Sequence, residues 1–340
     1  MSTQTPYPFA FSSPTDSNTS SSPSDTLYPL TRGTIPSRQA TRLRSMILEA
    51  HSDPTKILAH VCSYDALTSK LCEEAGFPAL FLAGYAIASS LALPDTGYIA
   101  FQEVAGKIQE VVRAVSVPVI ADGDTGYGGP MNVRRTVQGF AHAGAAGVMI
   151  EDQTWPKRCG HTQGKSVVSR SEAYARWRAA VDARNEGLDI WILARTDSLI
   201  HGYEEALTRA REAIAIGVDC VFVEALPDRA SMARLRRDLD FPVFGNIIEG
   251  GKTENLSAGE LAGIGFSAVA YPWTLVAAKL KSVRSALEGV KGSLLAGGPP
   301  VILGYGEVCE GVGFDRYYEL EERYQFEEST TGSKGHRFEK

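Results

Sequence analysis

Five segments of the chain run an apolar stretch directly into a charged or amide residue, and this pattern narrows the architectures open to it. The richest is VPVIADGDTGYGGP, from Val117 to Pro130. The others are GVMIED up to Asp152, WILARTD up to Asp197, CVFVEA around Glu224 and FPVFGN up to Asn246. Apolar runs of about four to six residues suit strands buried on both faces, as in a parallel sheet. Each run ends on a residue that belongs at a solvated turn. When parallel strands close into a barrel, all of those ends lie on one face, where barrel enzymes carry their chemistry. The pattern therefore predicts an enzyme with a polar, metal-competent rim.

Strand and helix signals alternate from residue 59 onward. Strands are predicted over Ala59–Ser63, Ala79–Ala83, Val117–Asp122, Gly147–Ile150, Ile190–Arg195, Cys220–Glu224, Val243–Asn246 and Ala268–Tyr271. Helical patterns lie between them, over Ala66–Ala75, Gln102–Val115, Asn132–Ala143, Arg170–Asn185, Tyr203–Ile216, Arg229–Asp238 and Thr274–Leu287. Gly76, Gly144 and Gly217 stop helices in the usual way. Repeated strand–helix units of this kind predict an α/β fold, a (β/α)8 TIM barrel. An open doubly wound sheet is the alternative, but the Gly-rich phosphate turn it usually carries is absent. The barrel is expected over residues 36–290. A C-terminal extension over 291–340 follows the Gly297-Gly298-Pro299-Pro300 linker.

Residues 1–30 hold eight Ser, five Thr and five Pro and no Lys or Arg, so a disordered segment is expected over 1–35. It has neither the basic start nor the apolar core of a secretory signal. A cytoplasmic location is expected, with a mitochondrial address as the alternative because Arg32, Arg38, Arg42 and Arg44 follow in an acid-free stretch. Net charge is −6 with dispersed Lys and Arg, which argues against a nucleic-acid partner. No apolar stretch of about 20 residues exists to cross a membrane. The five cysteines are odd in number and widely spaced, which suits a reducing compartment.

Asp122 and Asp124 stand two apart at a strand end among glycines. Two carboxylates in such a turn can hold a hard cation, and Mg²⁺ suits best because it keeps several waters. Taken alone, the same turn also suits an Asx cap. Glu151 and Asp152 at the next strand end add acid ligands and strengthen the metal reading. Cys159 lies in KRCGH, Lys157 to His161, where neighbouring positive charge favours a thiolate. It is a candidate acid/base or nucleophile, whereas Cys62, Cys72 and Cys220 sit in apolar patterns as small buried side chains. Arg195, Glu224 and Asn246 each close a strand. An Arg there can clamp a carboxylate, with Glu224 orienting it, although each residue singly also suits a structural ion pair.

Together these residues resemble the isocitrate lyase/phosphoenolpyruvate mutase superfamily over roughly residues 38–290. The likeness runs from YDALTSKLCEEAGFPALFLAGYAIASSLALPDTG through ADGDTGYGG, IEDQ, KRCGH, ARTD and NIIEGGKT to Tyr271-Pro272. It implies a (β/α)8 barrel with Mg²⁺, or Mn²⁺, held by Asp122, Asp124 and Glu151. It implies a mobile loop carrying Cys159, with Lys157 and His161 beside it in catalysis. Substrate contacts are implied at Ala83, Gly84, Tyr85, Asp95, Gly160, Arg195, Glu224 and Asn246. Members usually swap a C-terminal helix between subunits, so a helix-swapped homodimer or homotetramer is implied.

Members that make or break C–P bonds generally lack the loop cysteine, so Cys159 favours carbon–carbon cleavage of a small-molecule carboxylate. The chemistry agrees. Splitting a 2-hydroxy diacid leaves a carbanionic carboxylate fragment, which a loop thiol can protonate, while the metal stabilises oxygen charge on the 2-oxoacid. Methylisocitrate lyases typically place an Arg shortly after the Tyr-Pro pair, where this chain has WTLVAA, Trp273 to Ala278. The family's Asn-Ile-Thr is Asn246-Ile247-Ile248, and its Ser-Gly is Ala83-Gly84. A dicarboxylate with alkyl groups, as in 2,3-dimethylmalate-type lyases, therefore fits best. Oxaloacetate hydrolysis and methylisocitrate cleavage are the alternatives; oxaloacetate hydrolases tend to carry a serine at the position of Pro272. A non-catalytic barrel serving as an interaction protein is the reading from a different class, and the intact Asp122, Asp124, Cys159 and Arg195 count against it. The acceptor for the substrate hydroxyl proton stays unassigned between residues such as Tyr64 and Tyr85.

Overall fold

A computed structural model describes residues 33–160, 164–251 and 253–326. Eight strands close into one parallel barrel in sequence order. They are β1 (Leu58–Ser63), β2 (Leu80–Leu82), β3 (Val119–Asp122), β4 (Gly147–Glu151), β5 (Trp191–Thr196), β6 (Cys220–Val223), β7 (Val243–Asn246) and β8 (Ala268–Tyr271). Closure is made by β1 against β8, with Leu58 opposite Ala268 and Val61 opposite Tyr271. The (β/α)8 expectation holds, and the observed strands lie within about two residues of the predicted ones.

The helices around the barrel are α1 (Arg38–Ser52), α2 (Ala66–Glu74), α3 (Gly84–Ser90), α4 (Phe101–Val112), α5 (Pro130–Ala143), α6 (Arg170–Asn185), α7 (Tyr203–Ile216), α8 (Arg229–Asp238), α9 (Ala258–Ile264) and α10 (Thr274–Ser293). Caps set several of their starts. Asp65, Asp228 and Ser257 each accept a hydrogen bond from the third helical amide, and Gly144, Gly217 and Gly265 end helices with positive φ. Helices α1, α3 and α9 were not read from the sequence. The first closes the bottom of the barrel, where Arg44 pairs with Asp189 at 3.1 Å and Asp219 at 2.8 Å just ahead of β5 and β6.

The inside of the barrel is filled rather than hollow, as the fold demands. Phe244 lies at its centre, with ring centroids of Phe81 and Phe222 each 5.6 Å away and His60 stacked at 5.8 Å. These rings form a floor beneath the strand ends. Beyond the barrel, α10 continues into α11 (Tyr305–Val312) and α12 (Phe314–Arg323), neither of which buries a residue in the single chain. Leu280, Val283, Leu287, Val290 and Leu294 are all exposed on α10 and its C-terminal cap, at helical spacing. Among the described residues no helix is long and apolar enough to cross a membrane.

Candidate active site

The cavity at the strand C-termini is lined by residues from nearly every strand end. Ala83, Tyr85, Asp95, Asp122, Cys159, Gly160, Arg195, Glu224 and Asn246 all face it, so nine of the residues singled out from sequence converge on one space. It measures about 40 Å³, room for roughly three waters at about 10–15 Å³ each. Phe81, Phe222 and Phe244 are its floor, and Ile248, Pro272 and Trp273 its far wall. Trp273 is braced by stacking on Tyr85, with centroids 5.1 Å apart and an angle of 13°. That wall is apolar, as the Ile248 and Trp273 departures imply.

On the other side lies an acidic pocket. Asp122 accepts from the Gly84 amide and from the Asp124 amide, each at 3.0 Å. Space is tight at Gly84: an added Cβ would lie 3.1 Å from both Asp122 Oδ2 and Asp124 Oδ1, so these carboxylates would have to shift by a few tenths of an ångström. Asp124 itself adopts φ 47°, a left-handed conformation uncommon for a residue other than glycine. Its Oδ1 is 2.8 Å from Lys157 Nζ, and the same ammonium is hydrogen-bonded to Asp95. Lys157, read from the sequence as a charge beside the Cys159 thiol, thus has its ammonium on two acids. The acids hold it firmly protonated, raising it well above the usual lysine range although burial opposes this. Burial pushes the Asp124 carboxyl up to about 7; Lys157 offsets part of that, while Asp122 and Asp95 add to it.

Glu151 is fully buried, and its Oε1 has no hydrogen-bond partner among the described residues. Burial raises its carboxyl well above the ordinary range, with Arg195 acting in the opposite direction. Among the described residues no three His, Cys, Asp or Glu side chains form a cage for a metal. A Mg²⁺ ion does not need one, because one or two carboxylates with waters and ligand oxygens suffice. Asp122, Asp124, Asp95 and Glu151 place four buried or nearly buried carboxylates around one ammonium. That crowding of acids, with an unpartnered oxygen on Glu151, fits a bound divalent cation, which would favour their ionised forms.

Arg195 is the cation lining the cavity among the described residues. Its Nε is held by Asp197 at 2.9 Å and lies 3.4 Å from Glu151, while Nη2 meets Asp197 at 3.2 Å and Glu224 at 3.0 Å. Nη1 carries no hydrogen bond to a described residue, which leaves it to the cavity. The network continues outward: Asp152 accepts from the Asp197 amide at 2.8 Å and from Thr196 at 2.6 Å, and pairs with Arg209 at 3.1 Å. Asp152 is therefore a brace for the rim rather than a group facing the cavity.

Cys159 and Gly160 come from the segment after β4. Gln153 fixes that segment by bonding both backbone groups of Arg158, each at 2.9 Å. Gly160 is pressed against the far carboxylate: an added Cβ would sit 2.5 Å from Glu224 Cδ and 2.6 Å from Arg195 Nη2. His161 lies outside the described residues. Sequence reading missed Gln153, Lys165 and Asp197 as parts of the site; the ARTD motif put Asp197 at a strand end, but its partners come from distant segments.

The sequence profile of the phosphoenolpyruvate phosphomutase family matches residues 48–291. The chain is 40% identical over 228 residues to the 2-methylisocitrate lyase of Aeropyrum pernix, covering 67% of this chain and 73% of that one. It is 34% identical over 265 residues to the 2,3-dimethylmalate lyase of Eubacterium barkeri, covering 77% of this chain and 91% of the relative. Among solved structures, an oxaloacetate acetylhydrolase in complex with the inhibitor 3,3-difluorooxalacetate superposes with a TM-score of 0.76 at 30% identity, covering 84% of this chain and 96% of that one.

Proposed function

Since the chain belongs to the phosphoenolpyruvate mutase/isocitrate lyase superfamily, as a carbon–carbon lyase, we propose that it splits an alkyl-substituted 2-hydroxy dicarboxylate of the alkylmalate type into a 2-oxoacid and a carboxylate. The observation that carries this reading is the division of the cavity. One end offers Arg195 Nη1 and the acidic cluster; the other is walled by Ile248, Pro272 and Trp273. A third carboxylate, as in an isocitrate, would meet that apolar wall with no cation among the described lining residues beyond Arg195.

In this reading Arg195 grips the carboxylate of the 2-oxoacid portion, and its buried acid partners keep the guanidinium in one orientation. Asp122 and Asp124, with Glu151 behind them, would hold Mg²⁺, or Mn²⁺ in its place. When bound, the ion supplies electrostatic stabilisation of the negative charge that develops on the substrate's hydroxyl oxygen. The hydroxyl proton passes to solvent water, the O–H electron pair becomes the C2=O bond of the 2-oxoacid, and the C2–C3 bond breaks with its electron pair going to C3. Cys159 donates its proton to that carbon, so the carboxylate fragment departs neutral at carbon and the thiol is restored from solvent. The Cys159–Gly160 segment stands on Glu224 and Arg195, which places the thiol over the same cavity.

Oxaloacetate hydrolysis is the second reading, favoured by the small cavity and by the structural likeness to an oxaloacetate acetylhydrolase. Pro272 in the wall provides no hydroxyl for it. The exposed apolar stripe of α10 supports assembly as a homodimer or homotetramer. Incubation with alkylmalates, 2-methylisocitrate and oxaloacetate, with and without Mg²⁺, tests the reading. Release of a 2-oxoacid from an alkylmalate is expected; oxalate plus acetate from oxaloacetate alone would replace it with the second reading.

A further inference from the structure

Three acidic side chains crowd Arg195: Asp197, Glu224 and Glu151 all lie within 3.4 Å of its guanidinium. Each of them competes with a substrate carboxylate for that one cation. The structure supplies a second cation from an unexpected place. Lys165 Nζ is 2.7 Å from Asp197 Oδ1, the same oxygen that Arg195 Nη2 reaches at 3.2 Å. The pair is buried, with 7% of the Lys165 side chain exposed and none of Asp197. Lys165 does not line the cavity, so it acts on a ligand only through Asp197.

The backbone around Lys165 is built to hold it there. The segments on either side of the Cys159 turn pair with each other: the Thr154 amide donates to Ser166 O and the Val168 amide to Asp152 O, each at 2.9 Å. Asp152 in turn accepts the Asp197 amide, so one acid ties the strand pairing to the backbone of Asp197. A buried lysine costs several kcal/mol of desolvation unless well paired. A shorter or neutral side chain would serve a purely structural turn better than this one does.

We infer that Lys165 is a positioning residue for substrate recognition: by sharing Asp197 with Arg195, it frees the Arg195 guanidinium for the substrate carboxylate and fixes its direction. The role of that carboxylate in catalysis rests on the lyase reading, but the anion-binding role does not. Removing the Lys165 charge leaves Asp197 to Arg195 alone, so carboxylate affinity falls while the chemical step, carried by other residues, changes less.

The test is calorimetric titration of the full-length protein with oxalate, a two-carboxylate mimic of a 2-oxoacid, in the presence of Mg²⁺. Lys165→Met keeps the stem and removes the charge; Lys165→Arg keeps the charge. Oxalate binding by Lys165→Met is expected to weaken at least about tenfold, the size of one charged hydrogen bond. Lys165→Arg should recover to within about threefold of wild type. On a turned-over substrate, KM should rise by a similar factor with kcat nearly unchanged. Asp197→Asn combined with Lys165→Met should be non-additive, since both act through one pair. Oxalate affinity of Lys165→Met within about twofold of wild type would overturn the inference. So would equal losses in Lys165→Arg and Lys165→Met, which would indicate a packing role, or a wild-type protein that binds no oxalate. If oxalate binds as expected but no 2-oxoacid is released from any substrate, the lyase reading fails and the Lys165 inference stands.

Discussion

Gly160 offers a sharp perturbation because its surroundings leave so little room. In Gly160→Ala the new methyl would lie 2.5 Å from Glu224 Cδ, 2.6 Å from Arg195 Nη2 and 2.7 Å from Glu224 Cγ. Ordinary contacts between such atoms are about 3.5–4.0 Å, so something must move by about 1 Å. Two things can move. Glu224 and Arg195 are nearly buried and joined at 3.0 Å, with Asp197 behind the arginine. Breaking that group would cost on the order of 3–5 kcal/mol. The Cys159–Gly160 turn, with Cys159 partly exposed and Gly160 buried, lies outside that ion-paired group, so it yields first, at about 1–3 kcal/mol. Its displacement moves the Cys159 thiol by about 1 Å relative to the reacting carbon. A misplacement of that size costs roughly 100-fold in turnover, about 2.7 kcal/mol in the barrier. Steady-state 2-oxoacid release should fall by about that factor, while the thermal midpoint moves by only a few degrees. Turnover within about threefold of wild type would refute the reasoning. A midpoint lowered by more than about 10 °C would show that the barrel rim yields instead.

Three further outcomes follow from the same geometry. Asp122→Asn should abolish turnover, as should removal of Mg²⁺ by a chelator with restoration on re-addition; metal-independent turnover would contradict the assignment of the acidic cluster. Ile248→Thr puts a hydroxyl on the apolar wall, so competition assays should show improved use of a substrate with a polar distal group and poorer use of alkylmalates, by about 1–3 kcal/mol in relative kcat/KM. His60 sits buried against Phe244, and burial lowers its pKa to about 4, with the Ala79 backbone pulling weakly the other way. Its folded pKa is depressed below the unfolded value of about 6.5, so the unfolded chain binds more protons between the two and stability is lost as pH falls through that window. His60→Leu should flatten the denaturation midpoint between about pH 6.5 and 4, by as much as about 3 kcal/mol at the acid end. An unchanged acid limb would show that other groups control it.

Much of the barrel was legible because each strand is buried on both faces and each ends in a polar residue. The strand ends at Asp122, Glu151, Arg195, Glu224 and Asn246 could be read as one rim for that reason. Helix α3 was not legible, since LFLAGYAIASSLAL reads as one apolar run without periodic polar breaks. Helix α1 carries Arg44, whose partners, Asp189 and Asp219, lie far along the chain. The site divides in the same way. Residues whose chemistry is local, such as the paired aspartates or the loop cysteine, announced themselves. Lys165 did not, and Lys157 was legible only as a charge beside Cys159, because what each does depends on acids brought to it by other segments: Asp95 and Asp124 for Lys157, Asp197 for Lys165.

Turnover of an alkylmalate in D₂O, followed by NMR, addresses the central claim most directly. A carbanionic fragment protonated by the Cys159 thiol takes up one deuteron per turnover at the carbon that carried the broken bond. The wild-type protein is expected to release a 2-oxoacid and a singly deuterated carboxylate. Cys159→Ser should slow that release by about 10²–10⁴-fold, the contribution of a positioned acid. Release at the wild-type rate by Cys159→Ser, or a fragment carrying no deuterium, would contradict proton donation by the thiol and with it the proposed mechanism.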